Sequence, residues 1–383
     1  MFSKNFNFQN FKKTKIITKI KKDLNNLLKE DNQILNSLKS TYKDKYNFKK
    51  IIKLKKKFQI RIIGIGGSVL GAKAIYNFLR VKKKIVFIDN LYPKLNFEKK
   101  KYLNIIISKS GNTIETIANS NILISKKDKN IFITENKKSY LYKLANELKS
   151  EIIEHNNFIG GRYSVLSEVG MLPAELMGLN PKRFRQLNNL IKNKKFIDAL
   201  VSNVSSILSY SKKKKFNSII INYNPNLSDL LEWYKQLVSE SLGKKGKGIL
   251  PIISNMPKDN HSTMQLYLDG FKKNFFTFFF SRDIRSNSII EKNLLNDYNF
   301  LKNKTINQIM YSQKLATEKV FFKRKIPFRS FEIKKFNEKT LGELFCFFIL
   351  ETILIGKSLN LNPYDQPSVE LIKNETKKLL IKN

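Results

Sequence analysis

A loop at residues 108–116 carries three hydroxyl side chains at the start of a predicted helix. Ser108, Ser110 and Thr113 follow a short apolar run, and the first turn of the helix would present free backbone N–H groups. Hydroxyls and N–H groups at the positive end of a helix suit a phosphate monoester. A capping box at Thr113 is the alternative, since acidic and hydroxyl residues follow it in the first turn. The loop alone leaves both interpretations open.

A second loop, residues 64–71, is rich in glycine and also follows an apolar run. The small residues at 66–68 would let the backbone approach an anion closely. Val69 stands where a dinucleotide fingerprint needs glycine, and Ala72 stands where a P-loop needs lysine, so neither motif fits. Asp89 lies roughly where a ribose-binding acid would stand, which keeps a NAD site as a minor alternative beside a simple tight turn.

Few side chains of the sequence could serve as soft metal ligands or nucleophiles. There is one cysteine, Cys346, and there are two histidines, His155 and His261. A single cysteine cannot form an intramolecular disulfide, and this set excludes a zinc site built from Cys and His. His261 stands in the more distinctive stretch of the two, and its imidazole is the kind of group that titrates near neutrality.

Six blocks of sequence together resemble the phosphoglucose isomerase family, with its sugar isomerase domains. The blocks fall in the family's order, at residues 64–71, 108–116, 160–164, 233–241, 258–262 and 362–370. The chain is shorter than most members, and Gly111 and Asn112 depart from many of them, but neither departure removes a reactive group. The resemblance implies reversible conversion of glucose 6-phosphate and fructose 6-phosphate through ring opening and a cis-enediolate, with no metal and no organic cofactor.

The resemblance assigns catalytic roles to four side chains. Glu240 would move the proton, since a partly desolvated carboxylate has a pKa closer to the working range. Arg162 would stabilise the enediolate, because guanidinium stays protonated and the preceding glycine pair permits close approach. His261 with Lys373 would open the ring. Taken alone, these residues could equally be a surface glutamate, a structural ion pair and exposed groups.

Substrate binding and assembly are also implied by the resemblance. The binding positions it assigns are Gly66, Gly67, Ser68, Ser108, Lys109, Ser110, Thr113 and Gln366. In this family the histidine is presented across a dimer interface. The resemblance therefore implies a homodimer whose active sites are shared between subunits, with a small sugar phosphate as the ligand.

Parallel βαβ units must position these loops. Short β-branched runs predict strands at residues 60–65, 84–88, 103–107, 131–134 and 151–154, and a second series at 218–222, 249–254, 275–280 and 328–333. Helical patterns separate them, as at residues 71–79, 113–124 and 139–148. This alternation predicts an α/β protein made of two doubly wound sugar-isomerase-type αβα sandwich domains with parallel sheets. Ligands of such folds bind at the carboxyl ends of the strands.

The length of 383 residues suggests about two or three domains. We predict an N-terminal helical segment at 1–50 and a first sugar isomerase domain at 51–185. A second domain is predicted at 186–358, followed at 359–383 by a C-terminal loop and helix that complete the active site.

The net charge of +41 raises the question of a nucleic-acid partner. Only nine of the 72 basic residues are arginines, and the lysines are scattered in short runs, which is typical of a compositional bias and a solvated surface. We therefore expect no nucleic-acid and no membrane partner, and keep nucleic-acid binding as the lesser alternative. The alternative most similar to the implied function is a related isomerase that acts on mannose 6-phosphate or another phosphosugar. No apolar run approaches the roughly 18–20 residues of a membrane span, so a soluble, cytoplasmic protein is expected.

Overall fold

A computed structural model describes residues 4–12, 18–55, 57–93, 100–281, 289–290 and 300–382. The strands are β1 (Phe6–Gln9), β2 (Gln59–Ile63), β3 (Ile85–Ile88), β4 (Tyr102–Ile107), β5 (Lys129–Thr134), β6 (Glu151–Glu154), β7 (Asn217–Asn222), β8 (Leu250–Asn255), β9 (Asn274–Ser281) and β10 (Phe328–Ile333). The helices are α1 (Thr18–Lys29), α2 (Gln33–Ser37), α3 (Phe48–Lys55), α4 (Leu70–Phe78), α5 (Ile114–Leu123), α6 (Tyr140–Glu147), α7 (Glu168–Met177), α8 (Pro181–Phe184), α9 (Leu187–Leu190), α10 (Lys194–Lys212), α11 (Ser228–Leu242), α12 (Met264–Asp269), α13 (Ile306–Lys323), α14 (Glu338–Ser358) and α15 (Pro367–Lys382). Short 3-10 turns lie at Gly66–Ser68, Gly161–Leu166, Pro225–Leu227 and Lys258–His261.

The first sheet brings the two candidate loops side by side. Its strand order is β3-β2-β4-β5-β6, and every pairing in it is parallel. Ile60 of β2 lies opposite Leu103 of β4, and all six residues of β4 are buried. Connections run to opposite sides of β2, so the crevice between the ends of β2 and β4 is a topological switch point of the kind that binds ligands.

The second sheet has the order β1-β10-β9-β7-β8, and its strands β7 to β10 are parallel. Strand β1 pairs antiparallel with β10, with Phe6 opposite Ile333. The sequence pattern predicted a helical segment over residues 1–50, and Phe6–Gln9 differs from it. The pairing edge is β10, more than 300 residues away, and the ring of Phe8 packs on Phe331 with centroids 4.6 Å apart. Local periodicity cannot report such a partner.

The strands predicted from β-branched runs are the strands of the two sheets, and their bounds shift by at most two residues at either end. The mixed α/β class with parallel sheets is therefore confirmed, with β1 as the antiparallel exception. The domain boundaries drawn at residues 50, 185 and 358 stay predictions.

Buried helices connect the two sheets. Helix α14 is buried from Thr340 to Gly356 and packs against α10 and α11, and α4 packs against α7 and α11. The largest cluster of buried apolar side chains includes residues of both sheets, such as Ile105 and Phe279. None of the helices in the described ranges is long and apolar enough to cross a membrane.

Candidate active site

A cleft of about 440 Å³ opens where the first sheet meets α11 and the C-terminal segment. Nine of the twelve predicted site residues line it: Gly67, Ser68, Lys109, Ser110, Thr113, Arg162, Glu240, Gln366 and Lys373. The other three predicted site residues, which do not line the cleft, are Gly66, Ser108 and His261. The fold thus gathers residues from five separate parts of the chain around one space.

Arg162 is the central polar group of this cleft. Its side chain is almost fully buried in the 3-10 turn Gly161–Leu166. Its Nε donates a hydrogen bond to Ser241 Oγ at 2.8 Å, and its Nη1 lies 3.3 Å from Glu240 Oε2. A buried guanidinium needs partners for its donors, and here the partners fix both its own position and that of the carboxylate.

The same guanidinium holds the C-terminal loop against the cleft. Nη2 donates to the carbonyl oxygens of Pro363 at 2.7 Å and of Asp365 at 3.0 Å. Nη1 also donates to Oε1 of Gln366. Gln366, predicted as a substrate contact, is therefore placed at the cleft by Arg162, some 200 residues earlier in the chain.

Helix α11 presents Glu240 and Gln236 on one face. The helix carries Asp229 in its first turn, where a negative charge is favoured, and ends before Gly243. Gln236 lies four residues before Glu240, and its Nε2 donates to Glu240 Oε1 at 2.8 Å. Both carboxylate oxygens thus have fixed donors, while the side chain remains 26% exposed toward the cleft.

Gln236 is a site residue that the sequence analysis missed. It lines the cleft, and its Oε1 is buried without a hydrogen-bond partner in the described part of the chain. Gly66, with φ of 55°, makes room for it, because a Cβ there would lie 2.9 Å from Gln236 Nε2. The spacing of four residues from Glu240 is the signal that could have found it.

The loop at residues 108–113, called the hydroxyl loop from here on, does not use its side chains to cap helix α5. Ser108 is buried beneath the cleft, and its Oγ lies 2.8 Å from Thr113 Oγ1. Thr113 occupies the N-cap position of α5 without a side-chain capping bond, so no capping box forms at this position. Ser110 Oγ accepts a hydrogen bond from the Asn112 N–H at 3.2 Å. The arrangement leaves the start of α5 facing the cleft, as an anion site requires.

Lys109 supplies a positive charge beside this loop. Its Nζ donates to the carbonyl of Asn157 at 2.7 Å and lies 3.7 Å from Glu135 Oε1. Burial lowers the pKa of Lys109 below its ordinary value.

The two glycine segments meet directly. A Cβ on Gly67 would lie 2.6 Å from the backbone nitrogen of Arg162, and closer still to the backbone of Gly161. Only glycine allows this approach, which brings the 66–68 turn against the turn that carries Arg162. Among the residues that the structure describes, no three His, Cys, Asp or Glu side chains form a group that could hold a metal ion.

Comparison with known proteins decides the family. A family model described as phosphoglucose isomerase matches residues 12–248. A glucose-6-phosphate isomerase of Methanocaldococcus jannaschii is 34% identical over 329 residues, which is 81% of this chain and 81% of the relative. That of Mycoplasmopsis pulmonis is 34% identical over 354 residues, covering 84% of this chain and 82% of the relative. The chain belongs to the phosphoglucose isomerase family.

Solved structures agree on the fold. A hypothetical protein of Thermus thermophilus superposes with a TM-score of 0.80 at 22% identity, covering 95% of this chain and 94% of that one. A glucose-6-phosphate isomerase of Chlamydia trachomatis superposes with a TM-score of 0.68 at 18% identity, covering 91% of this chain and 77% of that one. At these identities the likeness concerns the sugar-isomerase-type architecture of the phosphoglucose isomerase family.

The two groups predicted for ring opening lie apart in this member of the phosphoglucose isomerase family. Lys373 of α15 lines the cleft, and its Nζ donates to Glu370 Oε1 at 2.6 Å. His261 lies in the 3-10 turn Lys258–His261 that follows β8, where it is exposed and does not line the cleft. A single chain therefore assembles Glu240, Arg162 and Lys373 but not His261.

Proposed function

We propose that this chain reversibly interconverts glucose 6-phosphate and fructose 6-phosphate. The curated relatives at 34% identity carry the name of that activity. The observation that carries the proposal is the ion pair between buried Arg162 and Glu240, which faces the hydroxyl loop across one cleft. A proton-transfer group and a fixed cation therefore share the cleft with an anion-binding loop.

The phosphate of the substrate would bind at the 108–113 loop and the helix start behind it. C1 and C2 of the open sugar would then lie near Glu240, whose carboxylate takes the proton from C2 of glucose 6-phosphate. The same carboxylate returns the proton to C1, while the proton of the C2 hydroxyl passes to the oxygen on C1, giving fructose 6-phosphate. The negative charge of the enediolate develops on oxygen, where Arg162 stabilises it without giving up a proton.

Ring opening needs a second proton-transfer group, and we assign it to His261 with Lys373. His261 is exposed and outside the cleft of its own chain, so we infer that it enters the cleft of a second copy. Strand β8, which precedes it, is a sheet edge with Leu250 57% and Ile252 37% exposed. An apolar edge beside an unplaced catalytic group supports a homodimer with shared sites.

The test is a coupled assay of fructose 6-phosphate turnover by the wild type and by Glu240→Gln. The amide keeps the shape of the side chain but cannot accept the proton, so we expect kcat to fall by at least ~10²-fold. Glu232→Gln is the matched control, since Glu232 lies on the same helix with a 42% exposed side chain paired to Lys235. Activity of Glu240→Gln equal to that of the control would remove Glu240 as the base, and an inactive wild type would refute the function.

Family membership does not favour the alternatives of a different phosphosugar isomerase or a nucleic-acid binder. Chromatography of the aldose products formed from fructose 6-phosphate separates glucose 6-phosphate from mannose 6-phosphate. The cytoplasmic location stays a prediction from the sequence.

A further inference from the structure

A lysine outside all six sequence blocks lies at the phosphate end of the cleft. Lys137 follows β5, in the loop that leads to the N-cap of α6, and it lines the cleft together with Lys109, Ser110 and Thr113. Its side chain is 56% exposed, and its Nζ forms an ion pair with the carboxylate of Glu135. The next strand of the sheet thus contributes a cation to the same space as the hydroxyl loop.

The negative charge of Glu135 is the reason why a phosphate in this cleft needs the charge of Lys137. Its side chain is only 9% exposed, lines the cleft and lies 3.7 Å from Lys109 Nζ. Its backbone N–H donates to the Lys109 carbonyl at 3.1 Å, which fixes the two loops to one another. A buried carboxylate beside a phosphate dianion repels it, and the charge of Lys109 only cancels that of Glu135. Lys137 is the group that makes the balance of these three side chains positive.

Lys109 is poorly placed to bind the phosphate by itself. Its Nζ already donates to the Asn157 carbonyl and lies beside Glu135. Burial lowers the pKa of Lys109, with Glu135 opposing this direction and Lys137 and Arg162 adding to it. Lys137 has an exposed side chain, and Glu135 is its one anionic partner among the residues that the structure describes. The side chain can therefore turn from Glu135 to an incoming anion at little cost.

We propose that Lys137 selects phosphorylated sugars by exchanging its ion pair with Glu135 for one with the phosphate dianion. The assignment rests on the proposed function, because it takes the sugar phosphate as the ligand of this cleft. Lys137 touches the phosphate and not the reacting carbons, so its contribution belongs to binding in ground state and transition state alike.

The kinetic test compares Lys137→Met with Lys138→Met, its exposed neighbour that does not line the cleft. For Lys137→Met we expect KM for fructose 6-phosphate to rise roughly tenfold while kcat stays within about twofold, as loss of one charge-assisted contact predicts. Lys137→Arg keeps the charge and should restore most of the affinity. A KM for Lys137→Met equal to that of Lys138→Met would overturn the proposal.

A binding test separates this proposal from the proposed function. Calorimetric titration with inorganic phosphate needs no turnover, and Lys137→Met should weaken phosphate binding roughly tenfold even if the wild type isomerised nothing. Glu135→Gln removes the repelling charge and should tighten phosphate binding, the opposite sign. Thermal melting of each variant verifies that it is folded. Unchanged phosphate affinity in folded Lys137→Met, or weaker binding in folded Glu135→Gln, contradicts the assignment.

Discussion

His155 is a histidine that the fold encloses at the end of β6. Its side chain is 1% exposed, its Nδ1 lies 3.1 Å from the Asn156 carbonyl, and its Nε2 has no hydrogen-bond partner in the ranges that the structure covers. Burial lowers its pKa to about 4, with Lys109 adding to that direction and Glu135 opposing it. The imidazole is therefore neutral in the folded protein at neutral pH.

This burial predicts a loss of stability in acid. Below its ordinary pKa of about 6.5 the unfolded histidine binds a proton, while folded His155 stays neutral until about pH 4. The unfolded state thus binds more protons in that window, and acidification should lower the free energy of unfolding by on the order of 3 kcal/mol from this group. Urea unfolding of the wild type and of His155→Leu between pH 7 and pH 4 measures this loss in the free energy of unfolding.

The wild type should lose stability more steeply than His155→Leu between pH 6.5 and 4, and the two should run in parallel above pH 7. His261→Gln is the control, because His261 is exposed and is the only other histidine in the sequence. Equal slopes for the wild type and His155→Leu would show that His155 carries no such linkage.

At the scale of elements, α11 is held in place from two sides. Its cleft face carries Glu240 and Gln236. On its buried side, the Tyr234 hydroxyl donates to Glu351 Oε1 at 3.0 Å and accepts from Arg329 Nη2 at 3.2 Å. This fully buried network ties α11 to β10 and α14, so the position of Glu240 depends on the interior of the second half of the chain.

The approach of the two glycine turns gives a test of element packing. Gly67→Ala puts a Cβ into the backbone of Gly161, and the resulting shift should cost about 1–3 kcal/mol and misplace Arg162. Gly160→Ala, one residue before Gly161, is the control, since its Cβ would meet only Tyr163 Cδ2 at 3.8 Å. The melting temperature and kcat should both fall for Gly67→Ala and change little for Gly160→Ala. Similar behaviour of the two variants would argue against this contact.

At the scale of the whole molecule, the proposed role of His261 in ring opening implies two copies of the chain, because His261 does not line the cleft of its own chain. In a two-fold symmetric dimer, each site would combine Glu240 of one subunit with His261 of the other. Coexpression of Glu240→Gln with His261→Ala would then yield mixed dimers in which one of the two sites has both wild-type groups. We expect about a quarter of the wild-type activity, since half of the dimers are mixed and half of their sites are intact.

The separate variants, mixed as folded dimers without exchange of subunits, are the control for this coexpression. Activity of the coexpressed pair no higher than that of this control would place both groups in one subunit. Analytical ultracentrifugation of the wild type tests independently whether the protein has the mass of a dimer.

The strands and the two loops that line the cleft could be predicted from the sequence because each is local, whereas the catalytic roles rest on the resemblance to the family and stay predictions. β-branched runs mark β2 and β4, and glycine and hydroxyl residues mark the loops that follow them. Three features depend on contacts between separate parts of the chain. Strand β1 pairs with β10, Gln236 lies against Gly66, and Lys137 reaches the cleft only because β5 lies beside β4. Periodicity and spacing report what neighbouring residues share, whereas these contacts arise from sheet order and helix packing, which only the tertiary structure decides.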